Sequence, residues 1–126
     1  MNTLYHGSLF YRENGSKKNY HGDSWTVDSD GIVPICWPRV FLGNLHQAIE
    51  HATMLKLPPG IKSGYTIVYS IDAERLPDLR EEGHSWTTSH IPHIAIIGDV
   101  QLYRNGDTPR DVQYKLQKAA KRKGWV

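Results

Sequence analysis

Apolar and polar positions change period several times along the chain, and each change marks an element. Thr3-Leu4-Tyr5 opens as a short strand that stops at His6-Gly7-Ser8. Residues 12–31 are rich in Gly, Asn, Asp and Ser and carry no period, which predicts a long loop region. A loop of that length in a small domain is usually functional or mobile. Val40-Phe41-Leu42 reads as the end of a strand, broken by Gly43-Asn44 just before the clearest periodic segment, where Leu45, Ala48, Ile49, Ala52 and Leu55 recur at helical spacing. Asn44 is the expected N-cap of this amphipathic helix, with Gln47 three residues on to complete a capping box. Leu57-Pro58-Pro59-Gly60 ends it, because proline brings no amide donor and disfavours helix in the residue before it.

Tyr65-Thr66-Ile67-Val68-Tyr69-Ser70-Ile71 is β-branched and aromatic, hence a strand, and Ile94-Ala95-Ile96-Ile97 with Val100-Gln101-Leu102-Tyr103 predicts another strand or a bent pair. The residues between these two runs read as a loop. Near the end, Thr108-Pro109 with Asp111 supplies a cap, a proline at the first helical position and an early acid. Val112, Leu116 and Ala119 or Ala120 give this second helix a buried stripe, and Lys121-Arg122-Lys123-Gly124 suits its negative C-terminal end.

Length and composition then narrow the class. At 126 residues the chain matches one domain, 1–126, able to bury a core without staples, and no repeat or low-complexity linker divides it. The single cysteine, Cys36, has no internal partner for a disulfide and sits in the apolar context Ile35-Cys36-Trp37, where a thiol is normally inert packing. No run is long enough to span a bilayer and Met1-Asn2-Thr3-Leu4 does not open like a signal peptide, so the expected compartment is the cytoplasm, with no membrane partner. A net charge of +2 announces no polyanionic partner. All the basic residues from Lys115 to Lys123 fall in the second helix, where capping explains them, which argues against nucleic acid as a partner.

Seven histidines raise the question of a metal. His46 and His51 are five apart, so on a helix they point about 140° from each other, unlike the i, i+4 pair of a zinc helix. His90-Ile91-Pro92-His93 has no cysteine neighbours and no HExxH partner, so no metal site is expected. No glycine-rich phosphate loop is present either.

What remains is an ordered set. Tyr5-His6-Gly7 ends a first strand, the segment from Val40 through Ala48 to Ala52 carries an aromatic at a strand end before a capped helix, and a third strand starts at Gly64. An acid-containing loop follows, then Ser85-Trp86-Thr87-Thr88 and Ile97-Gly98-Asp99. This order resembles the small ADP-ribosyltransferases that inactivate rifamycin antibiotics, over about residues 4–103. The resemblance implies an α+β fold: a small, bent or split mixed β-sheet with two packed helices and NAD in the cleft between the sheet halves.

In that family a strand-borne His-Gly holds NAD, an aromatic after the second strand packs the nicotinamide end, and an acid some ten positions into the segment after the third strand begins assists the chemistry. On matching positions these are His6 with Gly7, Phe41 and Asp78, while Ser85-Trp86-Thr87 stands where the family has Ser-Tyr-Arg. The chain departs in having Phe41 for a tyrosine, Thr87 for the arginine and a shorter loop after Asp78. The resemblance implies NAD-dependent ADP-ribosyl transfer, with NAD as substrate and an antibiotic, a protein side chain or a nucleic acid as acceptor. NAD hydrolysis and noncatalytic NAD or nucleotide binding are the alternatives. Cleaving the nicotinamide bond passes through an oxocarbenium-like state that a carboxylate stabilises, which suits Asp78 as the catalytic acid. A histidine can hold a ribose hydroxyl, and an aromatic ring can stack on nicotinamide.

Overall fold

The computed structural model describes residues 3–12, 20–21, 32–33 and 39–126. Along them run β1 (Thr3–Arg12), β2 (Tyr20–His21), β3 (Ile32–Val33), β4 (Val40–Leu42), α1 (Leu45–Met54), β5 (Ser63–Asp72), β6 (Arg80–Glu82), β7 (Ser85–Thr88), β8 (Ile91–Pro92), β9 (Ile96–Asn105) and α2 (Pro109–Arg122). Short 3-10 turns cover Ala73–Arg75 and His93–Ala95. The class is α+β. Among the described residues, two helices accompany a four-stranded sheet ordered β2-β1-β5-β9 and two small antiparallel sheets, β3-β8 and β4-β7-β6. Cys36 lies outside the described residues.

Two compact units share the chain. One gathers Met1–His6, Trp25–Ala48 and Tyr69–Asp99, the other Gly7–Ser24, Ile49–Val68 and Val100–Val126. Their boundaries fall inside β1, α1, β5 and β9, so the units are interleaved rather than successive along the chain.

In the first unit Leu4, Leu42, Ile71, Ile91 and Ala95 are buried. The segment read as a loop between residues 71 and 94 instead contains β6, β7 and β8. β6 escapes a hydrophobic pattern because all of Arg80, Glu81 and Glu82 are exposed. Backbone pairing to β7 holds it, closed by a two-residue hairpin after the Glu82↔Ser85 pair. Gly83 sits there at φ 61°, a left-handed conformation that favours glycine in such turns. Ile94-Ala95 belongs to a 3-10 turn rather than to a strand, since that turn sends Ala95 into the core and leaves Ile94 outside, and the strand that follows runs unbroken from Ile96 to Asn105.

β1 also runs past His6-Gly7-Ser8, where a stop was expected. Its residues His6, Gly7, Ser8 and Leu9 are all buried, and a strand covered on both faces shows no alternation. The stretch read as one long loop contributes Tyr20–His21, paired antiparallel with Tyr11 and Arg12 of the second unit. That unit buries Leu9, Ile49, Ala52, Ile67, Val68 and Val100 together with the α2 stripe Val112, Leu116 and Ala120.

Both caps form as read. Gln47 N donates to Asn44 Oδ1 and Asn44 N donates to Gln47 Oε1, each at 2.8 Å. Thr108 and Asp111 make the same reciprocal pair at α2. At the far end of α2, Trp125 N donates to the Ala120 carbonyl and Gly124 N to that of Lys121, a terminus that uses Gly124 at φ 78°. No helix among the described residues is long and apolar enough to cross a membrane.

Candidate functional site

Three of the segments that carry the resemblance, around His6, Phe41 and Ser85–Thr88, lie in the first unit, on or against the β4-β7-β6 sheet. Antiparallel register sets Phe41 opposite Thr87, and Thr87 opposite Arg80. Opposed residues share a face and successive ones alternate, so Phe41, Thr87, Ser85, Arg80 and Glu82 belong to one face. Leu42, Trp86 and Glu81 belong to the other. The register therefore brings Phe41 and Ser85 together and sends Trp86, a predicted partner of both, to the opposite face beside the buried Leu42. Phe41 is 62% exposed, a large aromatic surface that the core does not use.

His6 reaches this sheet through β1. Tyr5 and Gly43 exchange two backbone hydrogen bonds, of 2.8 and 2.9 Å, and the next residue, His6, sets its Nδ1 2.9 Å from the carbonyl oxygen of Phe41. A carbonyl only accepts, so Nδ1 is the donor in this contact. Gly7 follows in the same strand and is buried. Gly43 is required for a close approach: a Cβ there would lie 2.6 Å from Gln47 Oε1 and 3.0 Å from Gln47 Cβ.

Asp78 is enclosed. Its carboxylate accepts from Thr88 Oγ1 at 2.7 Å, Arg39 Nη1 at 2.9 Å, the Ser89 amide at 3.0 Å and the Ser89 hydroxyl. The two hydroxyls of Ser89 and Thr88, then the Ser89 amide and Arg39, hold this carboxyl well below the usual carboxylate range against the opposing effect of burial. It is a fixed anion at any ordinary pH and has no affinity for a proton there. Because the Ser89 hydroxyl gives its proton to Asp78, His90 Nδ1, 3.0 Å from the same oxygen, is the donor in that contact. Asp78 thus touches the serine and not the histidine, which is the wrong order for a nucleophilic triad.

Arg39 is the residue that sequence reasoning missed. Its guanidinium donates from Nε to Thr87 Oγ1 at 2.8 Å, from Nη2 to the carbonyls of Asp78 and Thr87 at 2.8 and 3.0 Å, and from Nη1 to Asp78. A residue two positions before Phe41 thereby brings a positive group to Thr87. Glu82 accepts from Thr87 Oγ1 at a long 3.4 Å and is the exposed carboxylate on the Phe41 face. The alternation of a strand through Arg39 and Phe41 was the available signal.

The face can therefore offer a flat ring to stack, the Ser85 hydroxyl, the bound guanidinium of Arg39, the exposed guanidinium of Arg80 and the exposed acid Glu82. No protein-family model matches the chain, and no curated protein and no solved structure matches it.

Proposed function

We propose that the protein binds NAD against the Phe41 face of the β4-β7-β6 sheet and transfers its ADP-ribose to an acceptor, in an ADP-ribosyltransferase-like fold. The observation that carries this proposal is the His6 Nδ1 bond to the Phe41 carbonyl, 35 residues away, together with the Phe41↔Thr87 pairing. Three separated segments, each matched to a binding element of that enzyme class by sequence alone, sit on neighbouring strands.

In this scheme nicotinamide stacks on Phe41 and His6, anchored on the Phe41 carbonyl, faces the ribose. The bond from the ribose anomeric carbon to nicotinamide breaks, nicotinamide leaves with the electron pair, and the acceptor oxygen or nitrogen attacks the same carbon. The acceptor's proton passes to a carboxylate. Asp78 contributes fixed negative charge and holds Arg39, whereas Glu82 is the exposed carboxylate on this face that receives the acceptor's proton.

One observation favours a second reading, noncatalytic NAD binding: the carboxylate expected to do the chemistry spends its bonds on Ser89, Thr88 and Arg39. A single experiment separates the cases. The protein is incubated with NAD labelled in the adenosine half while nicotinamide release and label transfer to small-molecule or protein acceptors are followed. Release with transfer supports the transferase, release alone marks hydrolysis, and saturable binding without release marks a sensor. Absence of NAD binding by folded protein overturns all of these.

A further inference from the structure

The second unit contains a cavity of about 350 Å³ that none of the residues above enters. Its charge is set by Lys56, Lys62 and Arg104, and its apolar wall by Leu57 and Ile61. Arg104 is only 6% exposed, a costly position for a guanidinium unless its donors are met. Nη1 donates to the Leu55 carbonyl at 2.7 Å and lies 3.4 Å from Thr66 Oγ1. Nη2 and Nε have no acceptor among the described residues. The one acid on the wall, Asp107, accepts from Lys115 Nζ at 2.7 Å and from the Asn105 amide at 3.2 Å, and its charge also acts on Arg104 without a hydrogen bond between them. An anchored guanidinium with spare donors, flanked by two flexible ammonium groups, matches a doubly charged oxyanion.

We propose that this cavity binds the phosphate group of a small phosphate monoester, Arg104 meeting the phosphate with the donors it has left and Lys56 and Lys62 closing over it. A volume of about 350 Å³ exceeds what a bare phosphate fills and lies at the lower end of the roughly 300–1,000 Å³ typical of small-molecule sites. The organic part of the ester accordingly rests on Leu57 and Ile61. The site is independent of the NAD proposal, since it uses none of His6, Phe41, Ser85, Asp78 or Glu82.

The test is a titration of the full chain, isotopically labelled for amide NMR, with inorganic phosphate and separately with a nucleoside monophosphate, at constant ionic strength set by chloride. Saturable shifts centred on residues 56–62 and 104–107 are expected, with the monophosphate tighter than phosphate. The double variant Lys56→Gln/Lys62→Gln alters only exposed side chains and keeps the fold. It is expected to weaken both ligands about tenfold, consistent with two lost charge contacts of modest worth each. Arg104→Gln should abolish binding where it folds. The proposal is overturned by shifts that never saturate, by shifts centred elsewhere, by unchanged affinity in the lysine variant, or by binding of a single-stranded oligonucleotide when neither phosphate nor the monophosphate binds.

Discussion

Replacing Asp78 by alanine removes one carboxylate and strands several donors at once. Arg39 Nη1, the Ser89 amide and the Ser89 hydroxyl lose their acceptor, whereas Thr88 Oγ1 retains the His90 carbonyl at 3.0 Å. Arg39 keeps its bonds to Thr87 and to the backbone carbonyl of residue 78, so the guanidinium stays in place but loses its counter-charge. The side chains of Arg39 and Asp78 are 20% and 27% exposed, enough for water to reach part of the gap. Three lost bonds at about 1 kcal/mol each, reduced by that access, give a destabilisation of about 2–3 kcal/mol. In a urea titration followed by tryptophan fluorescence, with a slope of about 1.5 kcal/mol per molar, the midpoint falls by about 1.3–2 M. The pH dependence supplies an independent reading. A carboxyl held below its unfolded value of about 3.9 contributes its full stabilisation above that pH and loses it as pH falls further. The stability gap between wild type and Asp78→Ala should therefore be flat above about pH 5 and shrink on acidification. A midpoint within about 0.3 M of wild type, or a gap that widens towards low pH, refutes the structural role assigned to this residue.

Three further outcomes follow from the same geometry. With turnover corrected for the folded fraction, Glu82→Gln should lower nicotinamide release by about 10²-fold, roughly 2.7 kcal/mol of transition-state stabilisation, and Asp78→Asn by much less; the reverse order returns the chemistry to Asp78. His6→Ala should weaken NAD binding by about 1–3 kcal/mol in calorimetry, through a lost ribose bond, and unchanged affinity in folded protein removes His6 from the site. Gln47→Ala deletes half of the α1 capping box and the 3.0 Å bond from Gln47 Nε2 to the His84 carbonyl, for a loss of about 1 kcal/mol by urea unfolding; a change under about 0.3 kcal/mol shows that the cap is satisfied by solvent instead.

The helices were legible because their instructions are local. A cap, a box partner, a stripe of apolar positions and a terminating glycine or proline pair all lie within a few residues of one another, and α1 and α2 use each of those signals where they stand in the sequence. Strands were legible where β-branched and apolar residues ran together, as from Thr66 to Ile71. β6 is three charged residues in a row and exists because β7 offers it backbone partners, a fact recorded in no property of Arg80, Glu81 or Glu82 themselves. Gly83 was its one local trace. Such a strand is readable only after the neighbouring strand has been recognised as its partner.

The candidate site divides along the same line. Each segment was recognisable by residue type, but which face each side chain occupies follows from register, and register turns on single residues. That is why Ser85 joins Phe41 while Trp86, its chain neighbour, does not. It is also why Thr87, uncharged itself, has a cation beside it in three dimensions. Phe41 and Arg39 lie two apart, the spacing that returns a strand to the same face, and Arg39 answers the position opposite Phe41 with two bonds to Thr87. A guanidinium brought to Thr87 from that side also meets the carboxylate of Asp78. The fold thus couples Arg39, Asp78 and Thr87, three residues separated in sequence, and the bonds of Asp78 to Arg39, Thr88 and Ser89 fix in place a carboxylate that residue type alone would offer as free.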